Sequence, residues 1–322
     1  MLSQASSISS DSLTNSERHA PVKMGRMKPP PNIEAVLPLR AQLGECPVWD
    51  VRSDHLYWID IDARTIYRYD PSTGTNEGRQ LGGRPGSFVL TDDPGRLVVG
   101  LEHELVDLQW STGTTTPRIA LEPSSARTRL NDGRCDPAGR YWVCSMDDPA
   151  GSLAFGAMLH RVEPDDRFET IESGVGVSNG LAFSPDGSTM YWADTRRGTV
   201  WAYDYDLTTG RRSNQRVFLD FTDLPGSPDG ACVDANGCYW VACVYGWAML
   251  RATPDGVVER IIELPVEKPS MPAFGGTDLD TLFVTSISSG GSTPAARGQP
   301  LAGALLAIDP GVTGIAEPRF GG

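Results

Sequence analysis

The chain has 322 residues, 39% of them hydrophobic, with 35 Gly, 25 Pro and a net charge of -13, enough for one sizeable core but punctuated too often for long helices. The acidic balance argues against a nucleic-acid partner, because binding to a phosphate backbone draws most of its affinity from a basic face. No apolar stretch is long enough for a signal core or a membrane span, so the expectation is a cytoplasmic protein, monomeric or weakly self-associating, with a small-molecule partner.

Residues 1–32, rich in Ser and closing on Pro29-Pro30-Pro31, are expected to be a disordered extension, leaving 33–322 as the folded domain. A strand is expected from about Ile33 to Leu39, pairing with the far end of the chain and protecting an exposed edge. Beyond it an aromatic or apolar run returns six times: Leu56-Tyr57-Trp58, Leu97-Val98-Val99, Arg140-Tyr141-Trp142, Met190-Tyr191-Trp192, Cys238-Tyr239-Trp240 and Leu282-Phe283-Val284, at intervals of 41, 43, 50, 48 and 44 residues. A period of about 45 fits one four-stranded propeller blade. Each run is followed by a second extended segment, such as Val200-Trp201-Ala202-Tyr203-Asp204, and preceded by a third that ends in turn chemistry such as Ser184-Pro185-Asp186-Gly187. The predicted fold is all-β, a six-bladed β-propeller with four-stranded blades. The longest interval contains Asp147 to Gly156, a candidate lid, and Ser288 to Pro300 is expected to be a solvent loop. Six cysteines without C-x-x-C spacing, mostly in predicted strands, read as reduced, buried small hydrophobes.

The innermost strand of each propeller blade lines a central channel, so equivalent positions in successive repeats form a ring around the axis. Nine to eleven residues before the runs lie Glu45, Ser87, Asn131, Asn179, Asp229 and the stretch around Met271. Four of these carry carboxylate or carboxamide oxygens. Hard oxygen donors without histidine or thiolate suit Ca²⁺, Mg²⁺ or Mn²⁺, and Zn²⁺ and Fe²⁺ also accept them; so few protein ligands would leave positions for water and substrate, a catalytic arrangement. A glycine lies within two residues of each candidate, where the missing Cβ lets backbones crowd at the axis; taken singly, each also reads as an ordinary turn. Arg129 and Asn131, two apart on a strand, face the same way, so Arg129 can donate to substrate oxygens or form a plain salt bridge. Asp132 faces the other way and reads as a turn former.

At these residues the chain resembles the regucalcin and gluconolactonase family of sugar lactonases. The resemblance runs from about Leu43 to Phe320 and is carried by Gly44-Glu45-Cys46-Pro47-Val48-Trp49, Leu130-Asn131-Asp132-Gly133, Asp136-Pro137-Ala138-Gly139-Arg140, Ser178-Asn179-Gly180-Leu181-Ala182-Phe183, Pro228-Asp229-Gly230 and Pro272-Ala273-Phe274-Gly275-Gly276. It implies one divalent cation, Ca²⁺ foremost, held by Glu45, Asn179 and Asp229, with Arg129 and Asn131 binding substrate. The implied reaction is hydrolysis of a lactone such as gluconolactone, xylonolactone or arabinonolactone to the aldonic acid. On that reading Asp229 also serves as catalytic base. Members of the family carry a further substrate-contacting acid after the segment matching Cys144-Ser145-Met146; this chain continues Asp147-Asp148-Pro149-Ala150-Gly151, which leaves that contact unassigned.

Other signals compete. Gly176-Val177-Ser178-Asn179-Gly180 matches the serine-hydrolase elbow, yet a strand follows it and no histidine lies downstream, so the match reads as chance. His103, between Glu102 and Glu104, reads as a hairpin histidine rather than a group at the channel mouth. The same scaffold also suits an organophosphate or other esterase, and the Tyr-Trp-Ile-Asp and Tyr-Trp-Ala-Asp runs fit a non-enzymatic propeller that binds proteins.

Overall fold

The structure is a computed structural model and describes residues 32–37, 39–152, 154–291 and 294–322; the expected extension through Pro31 lies outside the described residues. Six four-stranded antiparallel sheets follow one another around a ring, as the repeat predicts. The strands nearest the axis are Gly44–Asp50, Ser87–Leu90, Thr128–Cys135, Ser178–Phe183, Ser227–Val233 and Pro269–Gly275, in blades 1 to 6. They are buried almost throughout, whereas the outermost strands, such as Thr75–Gln80 and Arg211–Asp220, are mostly exposed.

Closure takes one strand from each end of the chain. Blade 6 is completed by Ile33–Leu37, which pairs antiparallel with Leu305–Ile308 in the register Ile33↔Ile308, Glu34↔Ala307 and Ala35↔Leu306. The ring thus has no free junction between first and last blades. Downstream, the final residues cross beneath the axis: Glu317 pairs with Arg134 at 2.8 Å, Arg319 with Asp50, and Phe320 N–H donates to Leu90 O at 2.8 Å. The channel is therefore stoppered at the end opposite the starts of the inner strands.

Successive strand residues point to opposite faces, which explains the paired aromatics. In blade 5, Tyr239 packs on Tyr191 of blade 4 at 5.0 Å between centroids and donates from its hydroxyl to Gly180 O at 2.8 Å, while Trp240 meets Phe274 of blade 6 at 6.1 Å. Blade 3 repeats this, with Tyr141 reaching Ser87 Oγ of blade 2 at 2.7 Å and Trp142 against Phe183 of blade 4 at 6.3 Å. One ring grips each neighbour. All six cysteines are buried free thiols in these layers.

The expected solvent loop, Ser288 to Pro300, is mostly exposed at its described residues, with Ser288, Gly290 and Gln299 as buried exceptions. Gln299 is buried and joined to Glu267 through Nε2 at 3.0 Å, and Gly290 O accepts from Lys268 Nζ at 3.3 Å. Those few buried members satisfy donors and acceptors at the rim of blade 6 while the rest of the segment faces solvent.

Two aspartates lock the far turns. Asp234 accepts from Asn236 N at 2.9 Å, Cys238 N at 3.0 Å, Trp240 Nε1 at 2.9 Å and Arg251 Nη2 at 2.6 Å, with no exposure of its own; Asp136 does the same for Ala138, Arg140 and Trp142. Replacing Asp234 by Ala leaves the Trp240 indole N–H and part of the Arg251 charge buried without this partner. We expect a loss of about 3 kcal/mol, measured by urea unfolding as a lower midpoint at unchanged slope.

Candidate functional site

Five of the six inner strands carry a register shift near the axis: between Glu45 and Val48, Leu130 and Gly133, Asn179 and Ala182, Pro228 and Ala231, and Pro269 and Pro272. Only blade 2 pairs evenly. A bulge breaks the pairing and re-aims side chains. Glu45 and Asn179 are the last paired residues before their bulges, while Asn131 and Asp229 are the first unpaired residues inside theirs. The residues following Glu45 and Asn179, Cys46 and Gly180, are in the left-handed region at φ 47° and 63°. Glycine is required at two neighbouring points: a Cβ on Gly180 would meet the Tyr239 hydroxyl at 2.6 Å, and one on Gly230 would meet Met271 Cγ at 2.4 Å.

A belt of hydrogen bonds joins blades 3, 4 and 5 at this level. Arg129 Nη1 donates to Asn131 Oδ1 at 3.0 Å, Asn131 Nδ2 to Asn179 Oδ1 at 3.0 Å, Asn179 Nδ2 to Thr195 Oγ1 at 2.8 Å, and Thr195 Oγ1 to Pro228 O at 2.8 Å. Arg129 and Asn131 thus share a face as their spacing predicts, and Asn131 with Thr195 fixes which way the Asn179 amide is turned, oxygen toward Asn131 and nitrogen toward Thr195. Thr195 went unnoticed in the sequence. It lies just beyond Asp194 in the turn after a second strand, and no spacing rule marks it.

Glu45 and Asp229 meet across the ring in a shared electrostatic environment. Burial raises the Glu45 carboxyl well above its ordinary value, with Asp229 and Asp132 pushing it further; burial and then Asp132 do the same to Asp229. Asp132 therefore does not simply form a turn facing elsewhere. Its carboxylate accepts from Gly133 N at 2.8 Å and from Leu181 N of blade 4 at 3.1 Å, and its charge acts on both other acids. Arg129 is buried enough that its guanidinium is lowered to about 10, first by desolvation and then by Arg84.

The rim is held by a second set of acids. Asp60, Asp147 and Asp194, which close the second strands of blades 1, 3 and 4, cap backbone N–H groups of adjoining loops: Leu43 at 3.0 Å, Gly156 at 2.9 Å and Val177 at 3.3 Å respectively. That is the role of the aspartates ending the Tyr-Trp-x-Asp runs. The candidate lid from Asp147 to Gly156 is tied down at both ends by Asp147. Next along, Asp148 pairs with Arg84 Nη2 at 2.6 Å and lies within electrostatic reach of Arg129 and His103. His103 is the hairpin histidine the sequence suggested, in the turn between Arg96–Gly100 and Glu104–Gln109, and is within electrostatic reach of Asp148. The serine of the elbow-like motif is no nucleophile: Ser178 Oγ is wholly buried and accepts from Trp192 Nε1.

The donors suit a hard cation. Glu45 and Asp229 share an electrostatic environment, Asn179 offers a carboxamide oxygen on the inner strand of blade 4, and Glu, Asn and Asp oxygens are the ligands such ions take. Among the described residues no three His, Cys, Asp or Glu side chains form a metal cluster; the set is mixed, with Asn179 as its third member. Among the same residues no helix is long and apolar enough to cross a membrane.

Fold and site together define a class: six-bladed propellers whose polar groups gather at one mouth of the axial channel. Residues 43–288 match the model for the SMP-30/gluconolactonase/LRE-like region, and the chain belongs to that family. It is 40% identical to a 6-deoxy-6-sulfogluconolactonase of Pseudomonas putida, over 87% of this chain and 95% of that one, and 35% identical to the pentonolactonase XacC of Haloferax volcanii, over 89% and 97%. The structure of a calcium-binding regucalcin from Agrobacterium tumefaciens superposes with a TM-score of 0.82 at 26% identity, covering 89% of this chain and 96% of that one.

Arg84, first through its hydrogen bond and then through its charge, holds the Asp148 carboxyl below the usual carboxylate range. A depressed folded-state value means that the pair stabilises the rim above the ordinary Asp value near ~3.9 and loses that contribution as pH falls through the folded value. In an Arg84→Gln variant we expect Asp148 to titrate at higher pH, read by carboxyl carbon NMR.

Proposed function

We propose that this protein is a divalent-cation-dependent lactonase that opens a sugar lactone to its aldonic acid. The observations that support the reading are the hydrogen-bonded row Arg129–Asn131–Asn179 and, near the same axis, the electrostatic coupling of Glu45 to Asp229. It is supported by relatives named for lactone substrates that align over nearly the whole chain.

Glu45, Asn179 and Asp229 would hold the ion, Ca²⁺ foremost with Mg²⁺, Mn²⁺, Zn²⁺ or Fe²⁺ as alternatives, and its contribution is Lewis-acid polarisation of the lactone carbonyl. The remaining steps fall to the chain. Arg129 and Asn131 orient the sugar hydroxyls, each locked by the other before substrate arrives, so little ordering is left to the bound complex. Asp148, beside Arg129 and Arg84, supplies the additional acidic contact that the sequence left unassigned. Asp229 accepts a proton from the water that adds to the carbonyl carbon. When the ring C–O bond breaks, the departing oxygen takes up a proton and becomes the new hydroxyl. Such a base commonly contributes roughly 10²- to 10⁴-fold.

Three substitutions separate these roles. Glu45→Gln should weaken calorimetric affinity for the cation before it touches the chemistry. Asp229→Asn should abolish most turnover in a pH-stat assay of a lactone panel run with each ion in turn; near-wild-type kcat at full metal occupancy removes the base assignment. Thr195→Val, isosteric but unable to hold Asn179, should lower metal affinity about tenfold, the lower end of what losing a supporting hydrogen bond to a ligand costs.

A further inference from the structure

The peptide carbonyl immediately ahead of each proposed ion-holding residue is bonded by a polar side chain of the preceding blade. Ser178 O, before Asn179, accepts from Asn131 Nδ2 of blade 3 at 3.1 Å. Pro228 O, before Asp229, accepts from Thr195 Oγ1 of blade 4 at 2.8 Å, and Gly44 O, before Glu45, accepts from Ser270 Oγ of blade 6 at 2.5 Å. The corresponding carbonyl ahead of Asn131, Leu130 O, is bonded instead by Arg129 Nη1 of its own strand at 3.0 Å. The clamp from one blade to the next thus falls on the three residues proposed for the ion.

Ser270 stands where the other blades carry their ring donors. The register shift between Pro269 and Pro272 makes it the first unpaired residue of its bulge, the place of Asn131 in blade 3 and Asp229 in blade 5. From that place Asn131 reaches the carbonyl one blade on, and Ser270 does the same across the seam between the last blade and the first. Its side chain has no exposure, and Thr285 Oγ1, equally buried, stands 2.9 Å from Ser270 Oγ and 3.2 Å from Met271 O, which anchors the hydroxyl to blade 6. The seam is tight enough to require glycine: a Cβ on Gly44 would meet Ser286 O of blade 6 at 2.8 Å.

We infer that Ser270 is a positioning residue for the cation site, holding Glu45 from blade 6 as Thr195 holds the approach to Asp229 from blade 4. The inference rests on the cation site of the lactonase reading. It gives a part in that site to blade 6, whose ring position carries neither carboxylate nor carboxamide. A peptide unit is planar, so fixing the Gly44 carbonyl also fixes the N–Cα bond of Glu45, at the entry to a bulge whose next residue, Cys46, is left-handed. Glu45 has the longest side chain of the three and the most rotamer freedom to lose, so a fixed backbone matters most there.

Calorimetric Mn²⁺ affinity and urea unfolding of wild type, Ser270→Ala, Thr285→Val and Ser87→Ala test this. Ser270→Ala should weaken Mn²⁺ binding about tenfold, the lower end of the loss when a ligand's support is removed, with kcat on a lactone returning to near wild type once the ion saturates. Thr285→Val keeps the volume and removes the hydroxyl behind Ser270; it should shift affinity the same way by a smaller factor, and it carries the test should Ser270→Ala not fold. Ser87 is the control, a wholly buried hydroxyl at the ring position of blade 2 that is bonded to the Tyr141 hydroxyl at 2.7 Å. Ser87→Ala should lower the unfolding midpoint and leave Mn²⁺ affinity unchanged. Wild-type affinity in Ser270→Ala, or in Thr285→Val where that variant alone folds, overturns the inference and leaves the lactonase reading intact, as does an equal loss in Ser87→Ala. A wild type that binds no divalent cation removes both, whereas one that binds the ion and opens no lactone removes the lactonase reading alone.

Discussion

Crowding of negative charge on the propeller axis is the constraint around which the rest of the molecule is arranged. Glu45, Asp229 and Asp132 come from blades 1, 5 and 3, and each is driven toward its protonated form first by burial and then, for Glu45, by Asp229 and Asp132 and, for Asp229, by Asp132. Left to itself, such a cluster is destabilising. It persists because bulged strands aim the carboxylates inward and because a closed ring gives the strands no room to splay. A hard cation held there, as proposed, would relieve the arrangement.

Support for that cluster is built in layers. The belt from Arg129 through Asn131, Asn179 and Thr195 to the Pro228 carbonyl sets the orientation of the carboxamide and fixes the backbone next to Asp229. Above it, Asp60, Asp147 and Asp194 fasten the rim loops to strand ends. Below it, the C-terminal segment stoppers the channel through the Glu317–Arg134 and Arg319–Asp50 pairs. That leaves the opposite mouth, where Arg84 pairs with Asp148, as the way in that the proposed function requires.

Much of this was legible in the chain because propellers repeat. The aromatic runs at near-constant spacing marked the blades, and the oxygen-bearing residues ahead of them marked the ring, since equivalent positions in a repeat become neighbours around the axis. The expected closing strand from Ile33 is present through Leu37. What escaped the sequence depends on contacts without periodicity. Asp132 read as a turn former on the face opposite Asn131, and it does bond Gly133 N; its second contact, to Leu181 N of the next blade, follows no spacing rule. Gln299 belonged to a polar stretch and is buried because Glu267, distant in sequence, offers matching groups. Thr195 and Arg84 sit in turns of irregular length, where no alternation rule assigns a direction.

The most direct test of the central claim is an anomalous-diffraction map from crystals equilibrated with Mn²⁺. The account predicts a single strong peak on the propeller axis, at ~2.0–2.6 Å from oxygens of Glu45, Asn179 and Asp229, as expected for hard-cation coordination. An axis without a peak at saturating ion, or a peak coordinated by other residues, would contradict it.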